Sequence, residues 1–189
     1  MVLAACGPSE VKVKNSRLAT ADKWEPAPEG DLTLALPEDP IPDKLSGVVR
    51  LAPDREMLYD DVRAAAKTVR DRGGTPVILV ARREDVVMFP ATQPKTGESI
   101  RLRATIEGKA CISPPDNEEA TCIARKDQKR IDRAFVRGIL RKAINEWTLR
   151  RIHVVIEPGL PFSDAVRAID GARTCCDDPT IEVSVEPGI

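Results

Sequence analysis

Three observations predict an α+β protein with a small mixed β-sheet and helices packed on one face. Between Ile100 and Ile189, apolar runs typical of strands are separated by segments with helical spacing. Groups of Pro, Gly, Asn and Asp divide these runs as turns. A shorter strand, helix and strand pattern precedes them, so a duplicated architecture is expected.

The elements of the C-terminal half follow one another in a defined order. Two β-type runs, 100–112 and 120–124, flank the turn-forming residues 113–117, and this arrangement predicts an antiparallel hairpin. The segment 127–147 places apolar side chains at helical spacing and basic side chains on the other faces, which predicts an amphipathic helix. An apolar strand over 152–156 follows it.

A second helix and a final strand complete this half. Residues 157–159 are Glu-Pro-Gly and end the preceding strand. Ser163 is predicted to be the N-cap of the helix, and Asp164 lies in its first turn, where a negative charge suits the helix dipole. The final run, 180–186, alternates apolar and polar side chains as a half-buried strand does. Its apolar side consists of Ile181, Val183 and Val185.

An earlier segment repeats the order of strand, helix and strand over 48–51, 59–72 and 77–81. Residues 60–64 read Asp-Asp-Val-Arg-Ala and residues 164–168 read Asp-Ala-Val-Arg-Ala, each near the start of an alanine-rich helix. Self-similarity of this kind indicates a tandem repeat.

The chain is therefore expected to have three parts. Residues 1–30 are interpreted as a lipobox-like start and a flexible tether, because they are polar and show little periodicity. Residues 31–90 are expected to form a degenerate module and residues 98–189 a complete one, joined by a linker at 90–97.

The first residues resemble a bacterial lipobox. Residues 2–7 read Val-Leu-Ala-Ala-Cys-Gly, which places Cys6 where a signal peptidase cuts and a diacylglycerol is attached. Gly7, rather than an aspartate, after the cysteine favours the outer membrane. The charged and apolar parts of a signal peptide do not precede this site, and a chance occurrence in an alanine-rich sequence is the alternative.

Four further cysteines remain, an even number. Cys111 and Cys122 fall opposite each other in a hairpin centred on Asp116 and Asn117, where cross-strand Cβ atoms approach closely enough for a disulfide. We predict that bond. Two reduced cysteines packed as small hydrophobic side chains, as in the cytosol, are the alternative.

Cys175 and Cys176 are adjacent in the sequence, and three states are open: a vicinal disulfide, a bridge to another chain, or two free thiols. They follow the predicted end of a helix and precede Asp177 and Asp178, whose charges would raise the pKa of a thiol. A structural role is therefore favoured over thiol-redox activity, which remains an alternative function.

Residues 154–170 carry a family resemblance. They read as an apolar strand, an acidic turn with Pro161 and Phe162, and a helix that contains Ile169 and Asp170. This run is similar to the periplasmic domain of the ExbD/TolR family of biopolymer transport accessory proteins. That family has Tyr at the position of Phe162 and Met-Asp at the positions of Ile169 and Asp170.

The resemblance implies both a fold and a kind of partner. Domains of this family dimerise and engage envelope proteins or peptidoglycan. The earlier module resembles them more loosely, since Tyr59 matches the family's turn tyrosine and Leu58 replaces its proline. The family's membrane helix has no counterpart, because no apolar run approaches about 18 residues. Proton-coupled energy transduction is therefore not expected.

Composition and motifs favour neither catalysis nor nucleic-acid binding. The chain has 29 basic and 30 acidic residues and a net charge of −1, so no strong field would gather an anionic polymer. The only histidine, His153, lies in an apolar strand, where a core or edge histidine with satisfied nitrogens is expected. No zinc-ligand spacing, nucleotide-binding loop or nucleophile motif occurs. We therefore predict no enzyme activity, no metal and no cofactor.

The sequence predicts a non-enzymatic cell-envelope binding or scaffold protein, periplasmic and anchored by an N-terminal lipid. The expected partner is an envelope protein or peptidoglycan, a homodimer is a further candidate, and nucleic acid is not expected. The candidate binding edge contains Ile181, Val183 and Val185, because an edge strand can pair with an extended partner. The alternatives are a periplasmic thiol-redox protein that uses Cys175 and Cys176, and a cytosolic interaction module.

Overall fold

The computed structural model describes residues 10–90, 97–115, 120–123, 129–176, 178–186 and 188–189. Within these ranges the chain has a mixed α+β architecture with three helices and eleven strands, as the sequence predicts. The strands form a four-stranded sheet, a five-stranded sheet and a two-stranded hairpin. In chain order the elements are β1 (Lys12–Val13), β2 (Ser16–Arg17), β3 (Leu32–Leu36), β4 (Val48–Pro53), α1 (Tyr59–Asp71), β5 (Thr75–Arg82), β6 (Asp85–Met88), β7 (Ile100–Ala104), β8 (Ala110–Ser113), β9 (Thr121–Ile123), α2 (Arg133–Trp147), β10 (Arg151–Ile156), α3 (Phe162–Arg173) and β11 (Glu182–Glu186).

The first sheet has the strand order β3-β4-β5-β6. β3, β4 and β5 run parallel, and β6 returns antiparallel to β5. α1 connects β4 to β5 and covers one face, because Val62, Ala66 and Val69 recur at helical spacing and are fully buried. The chain leaves the helix at Gly73, whose φ of 93° suits a residue without a side chain. The strand, helix and strand predicted here are confirmed.

The second sheet has the strand order β11-β10-β7-β8-β9. β10 lies between β7 and β11 and runs parallel to both, whereas β8 and β9 are antiparallel to their neighbours. α2 and α3 pack on one face of this sheet, where Ile152 and Val154 are fully buried. Arg101 and Arg103 alternate with buried residues along β7 and are exposed on the opposite face.

The run predicted as one strand over 100–112 consists of two strands. β7 ends at Ala104, and a turn at Gly108, whose φ is 76°, leads into β8. A Cβ atom at Gly108 would lie 2.6 Å from the backbone of Lys129, so glycine is required there. The predicted hairpin therefore joins β8 to β9, and its tip at 116–119 lies outside the described residues.

α2 begins later than the predicted helix over 127–147. It starts at Arg133, and the Asp132 carboxylate accepts a hydrogen bond from the Phe135 N–H at 3.2 Å, as an N-cap does. Ile131 is buried before the helix starts, so its apolar character extended the periodic pattern beyond the real helix. Part of the predicted first turn lies outside the described residues.

The start of α3 also differs from the prediction. The helix begins at Phe162, after Pro161, so Ser163 is not the N-cap but a buried residue of the first turn. The Phe162 N–H donates to the Met57 carbonyl oxygen at 2.7 Å. The Ser163 N–H donates to the Arg55 carbonyl oxygen at 2.9 Å. Because carbonyls from the other half of the chain satisfy these donors, the helix start needs no side-chain cap.

The starts of α1 and α3 contact each other reciprocally. The Tyr59 N–H donates to the Leu160 carbonyl oxygen at 2.9 Å. In return, the Phe162 N–H donates to the Met57 carbonyl oxygen. The residues between these donors and acceptors form an isolated antiparallel bridge, and both aromatic side chains are fully buried. The starts of the two helices therefore bind each other through equivalent backbone groups.

The two units correspond in order, direction and spacing. β3, β4 and β5 lie side by side and parallel, as do β7, β10 and β11. β4 begins at Val48 and α1 at Tyr59. β10 begins at Arg151 and α3 at Phe162, with the same spacing. Superposing the two units by these starts pairs Tyr59 with Phe162. That alignment is shifted by one residue from the one that pairs Val-Arg-Ala at 62–64 with Val-Arg-Ala at 166–168.

Residues 10–30 do not form the predicted flexible tether. β1 and β2 form a hairpin, and Val11, Val13 and Leu18 pack on the face of the first sheet opposite α1. The Ala81 N–H donates to the Ala19 carbonyl oxygen at 2.8 Å, and Leu18 is 4 % exposed. The physical reason lies in β5, whose residues on this face, such as Val77, are apolar and are buried by this segment.

The two sheets share a continuous hydrophobic core. Its buried side chains come from both predicted modules, 31–90 and 98–189, and from all three helices named above. Most of the predicted linker, at 91–96, and the predicted lipidation site, Cys6, lie outside the described residues. In the part of the chain that the structure describes, no helix is long and apolar enough to cross a bilayer.

Replacing Leu18 with alanine tests whether the N-terminal segment belongs to the fold. We expect the free energy of unfolding to fall by about 2 to 3 kcal/mol, because a buried leucine loses contacts and leaves a cavity. Lys12→Ala, on the exposed side of β1, is the control and should change it by less than about 0.5 kcal/mol. Equal midpoints of urea unfolding for Leu18→Ala and the parent chain would show a tether instead.

Candidate functional site

β11, the predicted binding edge, is the outermost strand of the second sheet. The Glu182 N–H donates to the Arg150 carbonyl oxygen at 2.9 Å, toward the neighbouring strand. Successive residues of a strand direct their backbone groups to opposite edges, so Val183 and Val185 direct theirs away from β10. Within the described ranges, no strand pairs with this outer side of β11.

The side chains predicted to form the binding edge belong largely to the core. Val185 is 5 % exposed, and Ile181 and Val183 are partly buried against the main core. The edge therefore offers a partner backbone donors and acceptors rather than an exposed apolar stripe. The strand predicted over 180–186 is present as Glu182–Glu186, and the binding role of its edge stays a prediction.

A cleft of about 730 Å³ lies beside the beginning of β11. The N-terminal segment, the chain after β6, the end of α3 and β11 itself all contribute to its wall. The lining residues are Lys23, Glu25, Pro90, Arg173, Thr174, Cys176, Asp178, Pro179, Ile181, Glu182 and Val183. Because the two units supply different walls, their docking creates the cleft.

Arg173 is a largely buried cation in this cleft. Its guanidinium donates to the Pro90 carbonyl oxygen at 2.9 Å and lies over the Phe89 ring, 5.0 Å from its centroid. Burial lowers the pKa of Arg173 from its ordinary value, while Asp170 and Glu25 act in the opposite direction. Arginine remains protonated in proteins, so the cleft contains a permanent positive charge.

His153 lies on β10, on the face of the sheet opposite the helices. It is 2 % exposed, and its Nδ1 and Nε2 lie 2.9 Å from Ser184 Oγ and 2.9 Å from Glu186 Oε2. These three residue types also form hydrolase triads. Here the Ser184 backbone belongs to the ladder with β10 and does not form an oxyanion hole. The arrangement instead ties the edge strand to its neighbour, as expected for a histidine with satisfied nitrogens.

The predicted disulfide between Cys111 and Cys122 is present. The two residues are direct partners across β8 and β9, and their sulfur atoms lie 2.11 Å apart. The bond joins β9, the outer strand on the far side of the second sheet, to the buried strand β8. The antiparallel register that predicted the bond is confirmed.

Cys175 and Cys176 are free thiols just after α3. Cys175 is 1 % exposed, and its sulfur atom lies 2.8 Å from that of Cys176. Burial raises the pKa of Cys175 well above its ordinary value, and the hydrogen bond with Cys176 acts in the same direction. The direction agrees with the prediction, but the cause does not involve Asp178, whose carboxylate pairs with Arg150. Asp177 lies outside the described residues.

Asp170 is a buried carboxylate. In the sequence it is noted only because it matches the Met-Asp pattern of the family that the chain resembles. It is fully buried and accepts hydrogen bonds from the Asp22 N–H at 2.9 Å and the Lys23 N–H at 2.6 Å. Arg133 of α2 lies 2.9 Å from the same carboxylate. The sequence does contain a signal for this buried charge. Asp170 stands among small and apolar residues at 168–172, and a position of this kind faces the core.

Comparisons with known proteins add no relative. No family model matches the sequence, and neither the curated proteins nor the solved structures contain a significant match. The fold and the site are those of an α+β protein. Among the described residues, one edge of its second sheet has no strand partner and lies beside a charged cleft.

Asp164, in the first turn of α3, makes the stability of the fold depend on pH. Its carboxylate is buried, lies 2.8 Å from Arg167 Nη1 and accepts a hydrogen bond from the Ile131 N–H. Burial is the largest influence and raises the pKa of Asp164, although Arg167 opposes it. The folded protein therefore holds this proton more tightly than the unfolded chain. Its contribution to stability is present at low pH and is lost as the pH rises through the raised pKa.

Asp164→Asn removes this titration. We expect the free energy of unfolding of the variant, relative to the parent chain, to increase between about pH 3.5 and about pH 7 in urea titrations. Asp54→Asn is the control, because its difference in free energy of unfolding from the parent chain should change with pH in the opposite direction. Burial opposes the shift, but the hydrogen bonds that Asp54 accepts, first from the Arg17 side chain, lower its pKa. A constant difference between Asp164→Asn and the parent chain would contradict this prediction.

Proposed function

We propose that this chain is a non-enzymatic cell-envelope binding or scaffold protein whose ExbD/TolR-like units engage an envelope protein or peptidoglycan. The observation that carries the proposal is the outer side of β11, which pairs with no described strand and adjoins the cleft. An edge strand binds an extended partner through backbone hydrogen bonds and needs no catalytic group. A second copy of the chain is a further candidate partner.

The correspondence between the two units supports a duplicated, ExbD/TolR-like architecture. Both units have three parallel strands in the same order, with a helix after the middle strand. Tyr59 and Phe162 begin the two helices and are buried at equivalent places. The family resemblance puts its turn tyrosine at these same two positions. Duplication accounts for the symmetric contact between the helix starts.

β5 and β11 hold equivalent places in the two units, but their outer sides differ. β6 pairs antiparallel with β5 from Leu79 to Arg82 and closes that edge over the second half of the strand. No described strand occupies the equivalent place along β11. β6 therefore provides an internal example of a partner strand, which would run antiparallel to β11.

The cysteines support an envelope location. Disulfides such as Cys111–Cys122 persist mainly in oxidising compartments, whereas a cytosolic interaction module would keep both thiols reduced. In this proposal the lipobox-like Cys6 carries the lipid, and Gly7 after it directs the protein to the outer membrane. As the main function, the thiol-redox alternative has less support, because repeated turnover needs both thiols to exchange readily, and Cys175 is buried with a raised pKa.

Val183→Pro tests the binding edge. The Val183 N–H points away from β10, so proline removes an outward donor and leaves the inner ladder in place. We expect association to weaken by at least about tenfold, equal to about 1.4 kcal/mol. The probes are co-sedimentation with purified peptidoglycan, capture from solubilised envelopes, and self-association measured by ultracentrifugation.

Val183→Ala is the matched control for that experiment, because it shortens the same side chain and keeps the N–H. It should associate like the parent chain, with a melting temperature similar to that of Val183→Pro. Equal association of Val183→Pro and Val183→Ala would refute edge pairing. If the parent chain engages none of the three probes, the binding proposal itself fails.

Cys6→Ala tests the anchor. With the native upstream sequence in a bacterial host, the parent chain should fractionate with the outer membrane, and the variant should lose that attachment because the sulfur that accepts the lipid is missing. Mass spectrometry of the N-terminal peptide provides the measurement. An unmodified N-terminus together with reduced Cys111 and Cys122 would support the cytosolic alternative.

A further inference from the structure

Cys175 and Cys176 form a close pair of thiols at the end of α3. Their sulfur atoms lie 2.8 Å apart. Cys175 is 1 % exposed, whereas Cys176 is partly exposed and lines the cleft beside β11. One thiol is therefore accessible from the cleft, and the other lies directly behind it.

We propose that this pair is a reversible oxidation site for small disulfides that enter the cleft. The Cys176 thiolate attacks one sulfur of a disulfide RSSR, and a mixed disulfide forms as one RS⁻ leaves. Cys175 then attacks the Cys176 sulfur and displaces the second RS⁻, which leaves a vicinal disulfide. The two thiol protons pass through solvent to the leaving thiolates. The dithiol thus loses two electrons, and one RSSR becomes two RSH.

The wall of the cleft carries charges of both signs. Lys23 and Arg173 are basic, and Glu25, Asp178 and Glu182 are acidic. The site is therefore open to small disulfides without selecting their charge.

Burial decides the order of the two steps. Cys175 is shielded, and burial raises its pKa, so it is a poor first nucleophile. Once Cys176 holds the mixed disulfide, its sulfur lies next to Cys175, and proximity replaces a bimolecular encounter. Cys176 therefore starts the exchange, and Cys175 resolves it. This inference is independent of partner binding, although the cleft adjoins the same strand edge.

Peptide mass mapping of the full chain after incubation with oxidised glutathione near neutral pH, with acid quenching, tests the proposal. In the parent chain, the peptide that contains both cysteines should lose two hydrogens and retain no glutathione. Cys175→Ser should stop at a glutathione adduct on Cys176. Cys176→Ser should react more than about tenfold more slowly than the parent chain.

Two comparisons make the result decisive. A lasting glutathione adduct on Cys176 of the parent chain, or equal rates for Cys176→Ser and the parent chain, would overturn the proposal. The peptide pair with Cys111 and Cys122 should not change. The mass measurement needs no binding partner. A negative result for the thiol pair is therefore distinct from a negative result for binding at the β11 edge.

Discussion

The reciprocal hydrogen bonds between the starts of α1 and α3 fix how the two halves of this protein meet over their shared core. A leucine and a proline precede the two helices, and neither side chain can accept a hydrogen bond from the helix. The Tyr59 N–H instead reaches Leu160, and the Phe162 N–H reaches Met57. A buried N–H without a partner costs about 1 to 3 kcal/mol. Each half therefore completes the helix start of the other, and the aromatic side chains at these starts join one core.

A buried charge adds a second constraint on the same packing. The carboxylate of Asp170 is removed from water, and such a group is tolerated in a protein interior only when it is paired and hydrogen-bonded. The backbone of Asp22 and Lys23 provides two donors, and Arg133 provides a cation. The N-terminal segment must therefore pass α3 and α2. This course brings Lys23 and Glu25 to the wall of the cleft.

The candidate site follows from both constraints. The cleft takes its walls from the N-terminal segment, the end of the first sheet and the second unit, so neither half could form it alone. The two units differ in what lies on the outer side of their last parallel strands. β6 closes part of the outer side of β5, while the outer side of β11 has no strand partner among the described residues. The second unit therefore presents both the strand edge and the thiol of Cys176 that lines the cleft.

By itself, the sequence determined the elements whose burial follows their own periodicity. α1, the alternation in β11 and the pairing of Cys111 with Cys122 could be predicted, because each depends on residues near in the chain. Tertiary structure alone decided where α3 begins, what covers the first sheet, and that Cys176 faces a cleft while Cys175 does not. The acceptor for the Phe162 N–H and the donors to Asp170 come from the other half of the chain. Such distant partners leave no periodic signal in the sequence, so only packing could show them.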